Sequence, residues 1–268
     1  MTETLPPLLL VGCGKMGGAM LAGWLEQGLS EAVVVDPHPA AGQDFAGRVR
    51  VVPDAAAIPA DFTPGVVVLA IKPQEAPTAV PAYARFGDAL FLSIMAGRTV
   101  AFLREALGAD TRVIRAMPNT PAAIRQGFTV SHAGAGVSAA DRALADRLLG
   151  AIGQSAWVAD EGLIDPVTAV SGGGPAYVFL LAEVMEAAAI AQGIPADLAR
   201  RMARATVAGS GALLATSTED ASALRRAVTS PKGTTERALA VLMAPEAWPA
   251  LMDRAIAAAT ARSRELAG

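Results

Sequence analysis

The run LLLVGCGKMG, residues 8–17, sets three glycines at fixed spacing between a short apolar stretch and the start of an apolar helix. Gly12, Gly14 and Gly17 fill a G-x-G-x-x-G pattern. The first glycine permits a tight turn after a strand and the second lets backbone approach a pyrophosphate. The third lets the following helix pack closely on that strand. A helix opening there aims its unpaired N–H groups at an anion. Alone the pattern is weak, but between a strand and a helix, with an acidic residue closing the next strand, it becomes specific. Asp36, which ends AVVVD, is that residue, at close to the expected interval of about 20 positions.

Asp36 in this position accepts hydrogen bonds from ribose hydroxyls and repels a 2′-phosphate. No arginine follows it; DPHPAAGQ offers only His38, so the residues themselves favour NADH over NADPH. Within the turn, Cys13 reads as a small residue, Lys15 either neutralises phosphate or is solvated, and Met16 begins the helix. Two further loops follow strand-like runs: AIKPQ, with Ala70, Ile71, Lys72 and Pro73, and MAG, with Met95, Ala96 and Gly97. Doubly wound sheets bind ligands at the carboxyl ends of their strands, so both loops join the cofactor candidates. In MPNTP, Asn119 is either a turn residue or an amide near the nicotinamide.

The first half alternates apolar runs (LLLVG, AVVVD, VVVLAI, ALFLSIM, RVIRAM) with helical segments such as Met16–Gln27 and Thr99–Leu107. Continuous rather than alternating apolar runs are the mark of strands covered on both faces, and the order implies right-handed βαβ units. GFTVSH and QSAWVAD, flanking a helix over Ala139–Ile152, extend the sheet. From about Asp160 only helices are expected: Pro175–Gln192, Ala196–Thr216, Ala221–Ala227, Thr234–Met243 and Ala247–Leu266. The fold class is therefore α/β. A Rossmann-type doubly wound parallel sheet over residues 1–159 is followed by an all-α dimerisation and substrate-binding domain over 160–268. The helices are apolar around much of their circumference, which calls for a second surface and so for a homodimer.

Composition narrows the partners. A net charge of −3 gives no case for nucleic acid or an anionic membrane. The N-terminus lacks a basic n-region, and the most apolar stretch, Leu163–Ala182, carries Asp165 and three glycines and reads as a buried helical segment. The single cysteine, Cys13, fits a reducing cytoplasm. No metal site is expected.

The second half carries VTSPKGTT, in which hydroxyls crowd a glycine at the start of a helix. Capping needs one hydroxyl, at the residue before the helix. Three hydroxyls beside free N–H groups suit a small carboxylate. The stretch Pro175–Ala182 has no lysine, which speaks against a β-hydroxyacid dehydrogenase; a non-catalytic NAD(P)H sensor has no use for the hydroxyl-rich turn.

VGCGKMG, AIKPQ, MPNTP, TAVSGGGPAYVF and VTSPKGTT occur in this order, and over essentially its whole length the chain resembles the pyrroline-5-carboxylate reductase family. The resemblance implies reduction of 1-pyrroline-5-carboxylate to L-proline with hydride from NADPH or NADH. It also implies a homodimer with interlocked helical domains, often assembled into a decamer. Carried over by motif, Ser230 and the N–H groups around Gly233 and Thr234 hold the substrate carboxylate, while the Thr235 hydroxyl, the catalytic candidate, bonds the ring nitrogen. The glycines of SGGGPAY serve close packing. Two positions depart from the family pattern. Lys232 stands where a glycine is usual, strained if φ is positive there and otherwise able to add its ammonium to carboxylate binding. Asp36 stands where the NADPH-using members carry Ser, Thr or Arg.

Overall fold

The computed structural model describes residues 4–38, 41–45 and 47–267. The chain divides into two compact units, Met1–Gly172 with Ala259–Gly268, and Gly173–Ala258.

The first unit is built on an eight-stranded sheet. Its strands are β1 (Leu8–Val11), β2 (Ala32–Val35), β3 (Arg50–Val52), β4 (Val66–Leu69), β5 (Leu90–Ser93), β6 (Arg112–Met117), β7 (Gly127–Ala133) and β8 (Gly153–Trp157). They lie in the order β3-β2-β1-β4-β5-β6-β7-β8. All neighbours are parallel except β6 and β7, which are antiparallel with Arg115 opposite His132. The order reverses at β1, where the chain turns from one edge toward the other; ligands of such sheets sit at the carboxyl ends beside that switch.

The all-apolar strands are explained by what covers them. Leu8, Leu10, Val34, Val66, Val68, Leu90 and Leu92 share one core cluster with Met20, Leu21 and Trp24 of α1 (Lys15–Glu26). Leu148 and Leu149 of a later helix, Ala139–Gly150, complete that face. The alternate residues Leu9, Val11, Val33, Val35, Val67, Leu69 and Phe91 pack on the opposite face. There they meet Val80 and Tyr83, which follow α2 (Ala76–Ala79), and Leu103 and Leu107 of α3 (Val100–Leu107). Side chains of a strand alternate between faces, so an apolar residue at every position requires a layer on each side. The Ala139–Gly150 helix, α4, is fixed at its start by a capping box between Ser138 and Asp141. The buried Trp24 Nε1 donates to the Leu148 carbonyl at 2.8 Å, joining α1 to α4.

After β8 the chain runs through α5 (Ile164–Val167) and a π turn (Thr168–Gly172). The second unit holds α6 (Gly174–Ala191), α7 (Ala196–Thr216), α8 (Ala221–Ala227), α9 (Thr234–Leu242) and the first part of α10 (Trp248–Ala267). No residue of α6 is buried: Phe179 is 67% and Leu180 55% exposed. The expectation of a buried segment over Leu163–Ala182 is therefore not met over α6 within one chain. The residues that precede α6 differ, since Ile164, Asp165 and Ala169 are buried in the first unit. By length and hydropathy alone, Glu161–Ala191 would suffice to cross a membrane.

Candidate functional site

The glycine turn has the three properties its spacing implies. Gly12 has φ +92°, and its N–H donates to the Val35 carbonyl at 2.8 Å. A Cβ on Gly17 would lie 2.2 Å from the Gly12 carbonyl oxygen, so only glycine lets α1 start so close to β1. A Cβ on Gly14 would meet nothing within 4 Å; the space before it is open. Gly14 is the N-cap of α1 and supplies no side-chain cap to the first N–H groups. An exposed helix start with open space in front fits a dinucleotide pyrophosphate.

Asp36 lies directly after β2, its side chain 9% exposed. One carboxylate oxygen accepts from the Cys13 N–H at 2.8 Å, and the other from the His38 N–H at 2.9 Å, with His38 Nδ1 at 3.0 Å. Burial pushes its pKa up, but the hydrogen bonds from Cys13 and His38 outweigh it and hold the group below its ordinary value. Asp36 therefore braces the glycine turn, a role beyond the ribose contact that its position suggests. Cys13 is half-buried, and burial together with the Asp36 charge raises its thiol pKa, which suits an unreactive turn residue. Lys15 is exposed and Met16 half-buried.

The remaining cofactor candidates gather at the same carboxyl edge. Ala70 donates its N–H to the Val11 carbonyl at 2.8 Å, bringing the start of the 70–74 loop against the glycine turn; Ile71 and Pro73 are half-buried there and Lys72 is exposed. Arg98 Nε donates to the Pro73 carbonyl at 2.8 Å, tying that loop to Met95–Gly97. In the second loop Met95 is a core side chain, Ala96 is half-buried, and Gly97 has φ +68°. A Cβ on Gly97 would come within 3.0 Å of the Leu266 carbonyl of α10. The Asn119 amide is committed within the protein: its Oδ1 accepts from Phe128 N–H at 2.9 Å and its Nδ2 reaches Ser171 Oγ at 3.3 Å.

One group at this edge has no local sequence signature. Arg115 of β6, only 2% exposed, places NH1 3.1 Å from Glu161 Oε1 and NH2 3.9 Å from Asp165 Oδ1. Glu161 also accepts the Val100 N–H at 2.8 Å, and Asp165 accepts from Ser263 Oγ at 2.7 Å. The start of α3, just beyond the Met95–Gly97 loop, and the end of α10 are thereby fixed to one buried guanidinium. RVIRAM signals only an arginine in an apolar strand, and no spacing rule connects it to carboxylates some 50 positions on.

In the second unit, the substrate candidates form the turn that opens α9. Gly233 N–H donates to the Ser230 carbonyl at 3.0 Å, and Lys232 between them has φ +61°. Proline fixes φ near −65° at the preceding position, so this is a type II turn, which places its third residue in the left-handed region. A lysine there is strained, by about 1 kcal/mol for an L-residue in that conformation. A Cβ on Gly233 would come within 2.6 Å of Ser230 Oγ. Gly233 is the N-cap of α9 and no side chain caps this helix. Among the described residues, the hydroxyls of Ser230, Thr234 and Thr235 accept no capping hydrogen bond; only Thr229 turns its hydroxyl back, to the Arg225 carbonyl at 2.7 Å. Capping thus does not account for the hydroxyls. They stand beside an uncapped helix start, which is the chemistry of an anion site.

Comparison with known proteins agrees with both halves. Residues 161–266 match the family described as pyrroline-5-carboxylate reductase dimerisation, and residues 8–97 the family described as NADP oxidoreductase, coenzyme F420-dependent. A pyrroline-5-carboxylate reductase of Pseudomonas aeruginosa is 40% identical over 98% of this chain and 97% of that protein. One from Haemophilus influenzae is 34% identical over 97% of each. The solved structure of a pyrroline-5-carboxylate reductase from Coxiella burnetii superposes with a TM-score of 0.91 at 30% identity, covering 99% of this chain and 100% of that one. With its glycine turn, its hydroxyl-lined α9 turn and this likeness along its whole length, the chain belongs to the pyrroline-5-carboxylate reductase family.

Proposed function

We propose that this protein reduces 1-pyrroline-5-carboxylate to L-proline with NADPH or NADH, the last step of proline synthesis. The observation that carries the reading is the uncapped, hydroxyl-rich turn opening α9 in a chain that also holds a dinucleotide turn. Bound NAD(P)H supplies the hydride. The chain's own residues bind and orient. Gly12, Cys13, Gly14, Lys15, Met16, Gly17 and Asp36 would hold the dinucleotide. The loops Ala70–Pro73 and Met95–Gly97 would hold it too, with Asn119 shaping the adjoining edge.

In the second unit, Ser230 and the N–H groups around Gly233 and Thr234 would grip the substrate carboxylate, the Gly233 N–H itself closing the turn onto the Ser230 carbonyl, with Lys232 adding positive charge. Thr235 would place its hydroxyl against the ring nitrogen. A protonated imine already carries the charge that makes its carbon electrophilic, so the reaction needs orientation more than a general base. After transfer the ring nitrogen is an amine, and the Thr235 hydroxyl still has a partner there. No lysine in Pro175–Ala182 supports a hydroxyacid dehydrogenase, and that alternative is not favoured.

The protein acts as a homodimer through its helical half, in line with the dimerisation match and the exposed apolar face of α6. We further propose a functional division at 159/160, a cytoplasmic setting, assembly of dimers into a decamer and a preference for NADH. The last rests on Asp36, which would repel a 2′-phosphate. The test is direct: purified protein should oxidise NADH or NADPH only when pyrroline-5-carboxylate is added, with light scattering giving the assembly size. Oxidation that ignores the imino acid would remove this reading.

A further inference from the structure

We infer that Glu236 is a positioning residue for the substrate turn, and that its carboxylate holds the Ser230–Gly233 turn in a conformation that Lys232 disfavours. The inference rests on the reading of that turn as the carboxylate cradle.

Types I and II differ by a flip of the peptide joining their two central residues. Here that peptide runs from Pro231 to Lys232. Type II needs φ > 0 at the second central position, which glycine adopts freely and lysine does not. Lys232 nevertheless has φ +61°. The N–H of that same peptide, Lys232 N–H, donates to Glu236 Oε2 at 2.9 Å. A flip would turn the N–H away and present the Pro231 carbonyl to the carboxylate instead, replacing a charged hydrogen bond with repulsion. Glu236 therefore acts on the one bond that decides the turn type.

The geometry also explains why this matters for the cradle. Ser230 Oγ lies against the Cα of Gly233, where a Cβ would come within 2.6 Å of it. Flipping the peptide would turn the Pro231 carbonyl and the Lys232 N–H to opposite sides of the turn and so change the polar groups presented beside Ser230 and the first N–H groups of α9. Glu236 sits in the first turn of α9, three residues after the N-cap, where a carboxylate also suits the helix dipole. It reaches past the N-cap residue to the peptide before it, a variant of the capping box. With glycine at position 232 the turn would hold without this help. The lock and the lysine belong together.

The experiment is a double-mutant cycle read as KM for pyrroline-5-carboxylate, KM for NAD(P)H and kcat. Glu236→Ala should raise the KM for pyrroline-5-carboxylate by about tenfold, the effect expected for losing a charged hydrogen bond. The KM for NAD(P)H should stay within about twofold. Glu236→Gln, which keeps an acceptor oxygen, should recover most of the loss. On a Lys232→Gly background the same Glu236→Ala change should alter KM by less than about twofold. An equal loss on both backgrounds, no loss on either, or a parallel rise in both KM values would overturn the lock. Thr235→Ala serves as the separate control: if it changes neither kcat nor KM, the turn is not the substrate site and the lock falls with it.

Discussion

Two turns in this molecule perform the same structural task, and they differ in how far backbone packing holds them. Each opens a helix at a glycine N-cap with no side-chain cap, Gly14 for α1 and Gly233 for α9. Each needs a residue with positive φ, Gly12 in one and Lys232 in the other. The first turn is wedged by close backbone approach, Gly12 against Ala70 and Gly17 against Gly12, and the Asp36 carboxylate on the Cys13 N–H adds to that wedge. The second is exposed and held by side chains, with Glu236 on the Lys232 N–H. A pyrophosphate is the same in every dinucleotide, so a rigid backbone mould serves it. On the proposed reading of the second turn, a small imino acid needs placed hydroxyls, which a turn can present without burial.

The largest expected effect tests the rigid half. Gly17→Ala would drive a Cβ to 2.2 Å from the Gly12 carbonyl, so turn or helix must shift. NAD(P)H binding, followed by cofactor fluorescence, should weaken by at least about a hundredfold, with lowered stability. Gly14→Ala sharpens the point. Its Cβ meets no protein atom, so stability should hold while affinity falls, because the methyl stands where the pyrophosphate approaches. Normal binding by both variants would break the claim that this turn is a mould.

In the exposed half the expected loss is chemical. Thr235→Ala should lower turnover roughly ten- to a hundredfold, below the loss for a full oxyanion-hole donor. The thermal midpoint should be unchanged, since the helix has no side-chain cap to lose. A fall in stability equal to the fall in rate would make Thr235 a packing residue.

The proposed ribose contact of Asp36 would couple recognition to the mould, and its expected effect is smaller. Asp36→Ser should shift the NADPH-to-NADH ratio of kcat/KM toward NADPH by about tenfold, by removing the charge that repels a 2′-phosphate. An unchanged ratio would leave Asp36 as a brace alone. Because its folded pKa is lowered, the stability it contributes is complete above the ordinary value of 3.8 and is lost as pH falls through the lower folded value. Acid unfolding of the wild type should therefore show a loss between the ordinary and the lowered folded value which Asp36→Ser lacks.

Much of this was legible in the sequence because it depends on local rules. The glycine spacing, the doubly covered strands and the helix-only second half follow from pattern, and the structure has β1, β2, β4, β5 and β6 where the apolar runs lie. What pattern missed depends on long-range pairing. β3, with Arg50 and Val51 exposed at the sheet edge, is too short and too polar to announce itself. The reversal of β7 is a matter of partner, not of composition. Asp36 was readable as an acidic strand end, but its hold on Cys13 was not, since that bond joins residues 23 positions apart. The apolar circumference of α6 was legible, and with it the need for a second surface; that no residue of α6 is buried in the single chain was not, because the reading of Leu163–Ala182 as buried follows from hydropathy alone.

The smallest effect bears on why a lysine can occupy a glycine position at all. Lys232→Gly relieves a strained φ, worth about 1 kcal/mol, but glycine also adds disorder to the unfolded chain, so the net gain should be about 0.5 kcal/mol. Lys232→Ala separates strain from charge, because alanine keeps the Cβ that makes the conformation costly and loses the ammonium. Chemical denaturation should rank glycine above lysine, with alanine no better than lysine. If alanine gains as much as glycine, charge rather than backbone strain governs this position, and the contrast between a backbone-held and a side-chain-held turn loses its basis at residue 232.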